Sequence, residues 1–145
     1  MTTITKRGTV FAIALLMLVM SVFVPMKKAE AAMMYNNVIY ANMNCTVNSA
    51  GKLQVALSAL GINGKTTNIK VELYVEKKIL GLFWTRFNIG YDNNTWTDST
   101  TNISYSNTFN TDLQSSGTYR VTTTFTVSGS GGAADVIEKT GTVSY

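Results

Sequence analysis

Eight acids, one thiol and no imidazole make up the reactive inventory of this 145-residue chain. The lack of His removes the commonest general base at neutral pH, the usual ligand of catalytic zinc and the middle member of a Ser-His-Asp relay. The single Cys, Cys45, can neither close an intramolecular disulfide nor build a Cys-rich metal cage. Enzymatic chemistry would therefore rest on carboxylates. A glycosidase needs two carboxyl groups about 5 to 9.5 Å apart. Glu72 and Glu76 lie four residues apart on an expected strand, roughly 13 Å at 3.3 Å per residue, so they read as a solvated face shared with Lys70 and Lys77. Asp92, Asp98, Asp112 and Asp135 fall in expected loops, where Asp stabilises turns; convergence of two or three of them around calcium is the alternative, without an Asp-x-Asp-x-Asp-Gly array to support it. Gly129-Ser130-Gly131-Gly132 has the look of a phosphate loop but joins strand to strand. Without a helix N-terminus behind it, it reads as a flexible hairpin connection. No catalytic residue, metal or cofactor is expected.

Non-covalent recognition has more to work with. Ile79-Leu80-Gly81-Leu82-Phe83-Trp84 is an apolar run without alternation, held between Lys77-Lys78 and Arg86. The expectation is that it folds back to close the end of the core. The alternative is a hairpin tip that touches a membrane interface or a partner, with its cations at the level of anionic headgroups. Trp84, Tyr91 and Trp96, together with Tyr74, fall on outward parity or in loops. Their flat rings could stack on sugars, with Asn88, Asn93, Asn94 and Asp98 supplying hydrogen bonds; alternatively the two Trp rings cover the ends of the fold. Cys45 shares the parity of apolar neighbours and reads as a small buried residue, the alternative being a disulfide between two chains.

These residues need elements to hold them, and period-two alternation supplies strands throughout. Ile39, Ala41, Met43, Cys45 and Val47 share one parity, and Leu53, Val55, Leu57 and Ala59 follow in a second strand. Ile69, Val71, Leu73 and Val75 oppose Lys70, Glu72, Tyr74 and Glu76. Phe83 to Ile89 places Phe83, Phe87 and Ile89 on one face. Thr101 to Phe109 is weaker, resting on Ile103, Tyr105 and Phe109. Tyr119, Val121, Thr123, Phe125 and Val127 alternate with Arg120, Thr122, Thr124 and Thr126, and a last strand runs from about Val136 to Tyr145 with Ile137, Val143 and Tyr145 inward. Asn63-Gly64 marks a tight turn. About seven short strands in roughly 110 residues predict an all-β, two-sheet antiparallel sandwich, a closed barrel being the other arrangement. A chain with 46% hydrophobic and 14% charged residues is not of disordered composition.

The first residues read as an export signal. Lys6 and Arg7 precede an apolar run from Val10 to Met20 that continues to Pro25, about fifteen residues against the roughly twenty needed to span a bilayer. Ala29-Glu30-Ala31-Ala32 has the form read by signal peptidase. The expectation is a signal peptide over 1–31 and a domain over 32–145, with a retained membrane anchor as the alternative. Removing Lys6, Arg7, Lys27, Lys28 and Glu30 leaves eight cations against seven acids, no footprint for nucleic acid.

Leu113-Gln114-Ser115-Ser116-Gly117-Thr118-Tyr119-Arg120-Val121 resembles the tyrosine corner of immunoglobulin-like domains, with Gly117 and Tyr119 as its structural residues. The chain lacks the Cys pair of antibody domains. It most resembles small secreted immunoglobulin-like proteins of Gram-positive bacteria that have no assigned activity. That resemblance implies fold and export, and no function. The functional expectation is a secreted, non-enzymatic binding module at or near the bacterial cell surface, its partner a cell-wall glycan or surface protein, with Trp84, Tyr91 and Trp96 in contact. The alternative is a membrane-active, bacteriocin-like protein acting through Ile79, Leu80, Leu82, Phe83, Lys77, Lys78 and Arg86.

Overall fold

Alternation becomes burial most cleanly where both sheets face each other. The computed structural model describes residues 35–145 as eight strands: β1 (Val38–Val47), β2 (Lys52–Gly61), β3 (Thr66–Ile79), β4 (Phe83–Arg86), β5 (Trp96–Thr100), β6 (Ser104–Asp112), β7 (Thr118–Gly129) and β8 (Asp135–Ser144). The expected signal peptide over 1–31 and the start of the domain at 32 lie outside the described residues. Ile69, Val71, Leu73 and Val75 of β3 are fully buried, as are Tyr119, Val121, Thr123, Phe125 and Val127 of β7. Leu53, Val55, Leu57 and Ala59 of β2 meet them in one apolar core. β-branched and aromatic side chains stack well on a pleated surface, which is why these runs extend rather than coil.

The strands form two antiparallel sheets, one in the order β1-β2-β6 and the other β4-β3-β7-β8 with β5 also on β3. The free edge of β3 is divided: β4 pairs with Glu76 to Ile79 and β5 with Ile69 to Leu73. The chain thus moves between sheets after β2, β5 and β6, and closes with the β7–β8 hairpin. The all-β, two-sheet expectation holds, with one strand more than the seven read from the sequence.

The differences have physical causes. A register shift between Val38 and Tyr40 turns Val38 inward and leaves Ile39 58% exposed, so the first strand's parity begins at Ala41. The fourth strand ends at Arg86 rather than at Ile89. Phe87 then donates its N–H to the Val75 carbonyl, its ring stands edge-on against Tyr119, and Ile89 is buried beyond it. Phe83 is exposed because it pairs with Ile79, past Val75, the last buried residue of β3. Trp96, expected in a loop, opens β5 opposite Leu73. Ile103 and Tyr145 are more than a third exposed, and Thr122 is buried.

Gly129 to Gly132 is a docked segment, not the flexible connection expected. A Cβ on Gly129 would lie 2.1 Å from the Lys65 carbonyl oxygen, and one on Gly131 2.0 Å from that of Asn36. Only glycine lets the three backbones come this close. Asp135 and Asn37, both buried, bind them together. The Asp135 carboxylate accepts from the N–H groups of Asn36, Asn37 and Val38 at 3.0, 2.6 and 3.1 Å. Asn37 donates to the Ala133 carbonyl and accepts from Gly131 N–H, each at 3.0 Å. Its own carbonyl accepts from Ile62 N–H and from the Thr66 hydroxyl.

Candidate functional site

The strand that crosses the whole core, β3, runs past it at one end, and there the apolar run forms a bare hairpin tip. Ile79, Leu80, Leu82 and Phe83 are 41%, 84%, 73% and 64% exposed, which overturns the expectation that the run folds back onto the core. The reason is the turn. Leu80 and Gly81 both have positive φ, +52° and +70°, and Leu82 N–H donates to the Ile79 carbonyl at 3.0 Å, the pattern of a type I′ turn. Such a turn continues the twist of its strands and carries the hairpin straight onward, away from the opposite sheet. Gly81 suits that backbone. Leu80 does not, since a left-handed leucine costs about 1 to 2 kcal/mol and here recovers nothing by packing.

Behind the tip the side chains change character. Lys78 stands opposite Trp84 in the β3–β4 ladder, with its ammonium 5.6 Å from the ring centroid; the Arg120 guanidinium lies 4.4 Å from the same ring. Arg120 also binds Glu76 at 2.7 Å, and Arg86 stacks 3.2 Å from the Tyr74 centroid. Cations therefore stand over the Trp84 ring that a sugar would need. On the inward parity Lys77 reaches over the Tyr119 ring, at 5.5 Å, and donates to the Ser115 hydroxyl at 2.5 Å, so it caps the core end. Tyr119 is fully buried, and its hydroxyl donates to the Ser115 carbonyl at 2.6 Å. Gly117 at φ +150° exchanges two backbone hydrogen bonds with Tyr145, and a side chain there would meet Lys77 at 2.9 Å.

The other two aromatics singled out in the sequence come together elsewhere, around Phe109. Trp96 is half-buried and packs on Phe109 at 5.6 Å, while Tyr91 packs on it at 6.3 Å and remains 49% exposed. Tyr91 lines an open cleft with Glu72, Asp92, Asn93, Thr95 and Thr97, formed where β3's edge passes from β4 to β5. Asn93 and Asn94 hold left-handed backbone in the single 3-10 turn Asp92–Asn94 beside it, a conformation Asn tolerates. Trp84 is not part of this group.

Asp98, read as a loop residue, sits in β5 and joins the sheets at their open edge. It accepts from the Asn107 amide at 2.7 Å and the Tyr105 hydroxyl at 2.9 Å. The Asn107 bond chiefly, with those from Tyr105 and the Ser99 N–H, holds its carboxyl below the usual range, against some opposing desolvation. Tyr105 is pushed well above the ordinary phenol range, first by burial and then by Asp98. The Cys45 thiol is half-buried, and desolvation raises it to about 11. Sequence reasoning missed Asn37 and Asp135 as structural centres, because two polar residues 98 positions apart leave no periodic signal. No protein-family model matches the chain, and a search of curated proteins finds no similar sequence.

Proposed function

We propose that this chain is an exported, non-enzymatic immunoglobulin-like module that attaches to a cell surface through the β3–β4 hairpin tip. The immunoglobulin-like reading is supported by strand order: β1-β2-β6 facing β4-β3-β7-β8 corresponds to the two sheets of that fold, and the Tyr119 hydroxyl on the Ser115 carbonyl has the geometry of its tyrosine corner. Export and bacterial origin rest on the sequence of the leader.

The observation that carries the functional reading is the exposure of Leu80, Leu82 and Phe83 together. Contiguous bare hydrophobic side chains on an otherwise well-packed domain are the mark of a contact surface. The test is adsorption of residues 32–145 to intact bacterial cells, compared with Leu82→Asn/Phe83→Asn. Loss of adsorption in a variant with an unchanged circular-dichroism spectrum supports the reading; equal adsorption refutes it.

A second reading is glycan binding at Tyr91. It is favoured by a half-exposed ring, fixed from behind by Phe109, beside the carboxyl, amide and hydroxyl groups of Asp92, Asn93, Thr95 and Thr97. Tyr91→Ala should then abolish retention on purified cell wall while the tip variant retains it.

A further inference from the structure

The contact reading leaves the partner open, and the order of side chains along the hairpin narrows it. At the apex are Leu80 and Leu82, followed by the pair Ile79 and Phe83. One residue further back, roughly 3.3 Å along the strands, come Lys78 and Trp84. Next are Lys77 with Thr85, and then Glu76 between Arg86 and Arg120. The single acid in this zone, Glu76, is already bound by Arg120 at 2.7 Å, so the collar is cationic.

This sequence of oil, then indole and ammonium, then guanidinium, repeats the sequence of environments met on entering a lipid monolayer from its acyl side: hydrocarbon, interface, anionic phosphate. A glycan offers no place for two leucines and a phenylalanine. We propose that the tip docks into an anionic phospholipid surface, a proposal that rests on the contact reading above. The turn hydrogen bond from Leu82 N–H to Ile79 satisfies a backbone group that would otherwise enter the apolar layer bare. With the cations so close behind the apex, insertion stops at the boundary between headgroups and acyl chains. The domain docks on the bilayer and does not cross it.

The test is sedimentation of residues 32–145, which contain the whole core found among the described residues, with vesicles of phosphatidylglycerol and phosphatidylcholine, and with vesicles of phosphatidylcholine alone. Partition onto the anionic vesicles is expected, falling roughly tenfold or more in Leu82→Asn/Phe83→Asn. It should fall about fivefold in Lys78→Gln, and fall again at high salt. Weak partition onto pure phosphatidylcholine is expected. Absence of partition onto anionic vesicles at low salt overturns the proposal, as does equal partition of the wild-type and the double variant. Tip-dependent binding to cells without binding to vesicles makes the partner a surface protein: the lipid proposal then falls and the contact reading stands. Failure of both assays removes both.

Discussion

The two ends of β3 obey opposite rules. At Thr66 the chain is tied into a knot of short contacts: Asn37 bonds to Ala133, Gly131, Ile62 and Thr66, Asp135 caps three backbone N–H groups, and two glycines admit carbonyl oxygens where a methyl group would not fit. At Ile79 the same strand ends in side chains that touch little and a leucine held in a backbone region suited to glycine. The first end is what folding alone would select. The second is not accounted for by folding, since each of its features costs stability or solubility. That contrast is the physical basis for assigning contact to the tip.

The largest break in the comparison should come from the knot. Asp135→Ala orphans three donors, two of them buried, and is expected to cost about 4 kcal/mol, read as a loss in denaturant midpoint at constant slope. An effect below about 1 kcal/mol would mean that the knot is not a centre of stability. Gly131→Ala drives a methyl group into the Asn36 carbonyl and should cost about 3 kcal/mol by the same measurement. At the other end the sign reverses. Leu80→Asn relieves the left-handed leucine and should raise stability by about 0.5 to 1 kcal/mol while weakening adsorption to cells. A destabilised Leu80→Asn would show that the leucine supports the fold after all.

Two smaller effects belong to the middle of the molecule, away from either end. Asp98 has a folded-state pKa below its unfolded value, so its contribution is present above about pH 4 and disappears as the pH falls through the folded value. Asp98→Asn should therefore flatten the acid limb of the stability profile without altering its neutral plateau relative to pH 5. Cys45, with its thiol raised to about 11, should react slowly with iodoacetamide at pH 8 and quickly once the chain is unfolded. Rapid alkylation of the native protein would show the β1 edge to be open.

Much of the fold was legible because burial on one face of a strand forces period two. β2, β3 and β7 were readable residue by residue for that reason, with Tyr119 on the buried parity of β7. The bulge that expels Ile39 was not legible, because a register shift is decided by the partner strand. Nor was Trp96 as the start of β5: its strand is outlined by Thr, Asp and Ser, with only the indole facing Phe109. The tip was visible as a run lacking alternation, yet composition could not say whether it turned inward. Two positive φ angles decide that, and only one of them falls on a glycine. The knot escaped altogether, since Asn37 and Asp135 are 98 residues apart and polar residues carry no periodic signature.

The crowding around Gly129 and Gly131 also dictates where foreign sequence can be grafted. A loop that looks permissive by composition would reject an epitope or fluorophore, because its backbone is wedged between Lys65 and Asn36. The turn at Gly64 opens on empty space, and although its φ of +74° would strain any side chain at that position itself, the exposed Asn63 beside it is the place to attach a reporter and leave both the domain and its hairpin intact.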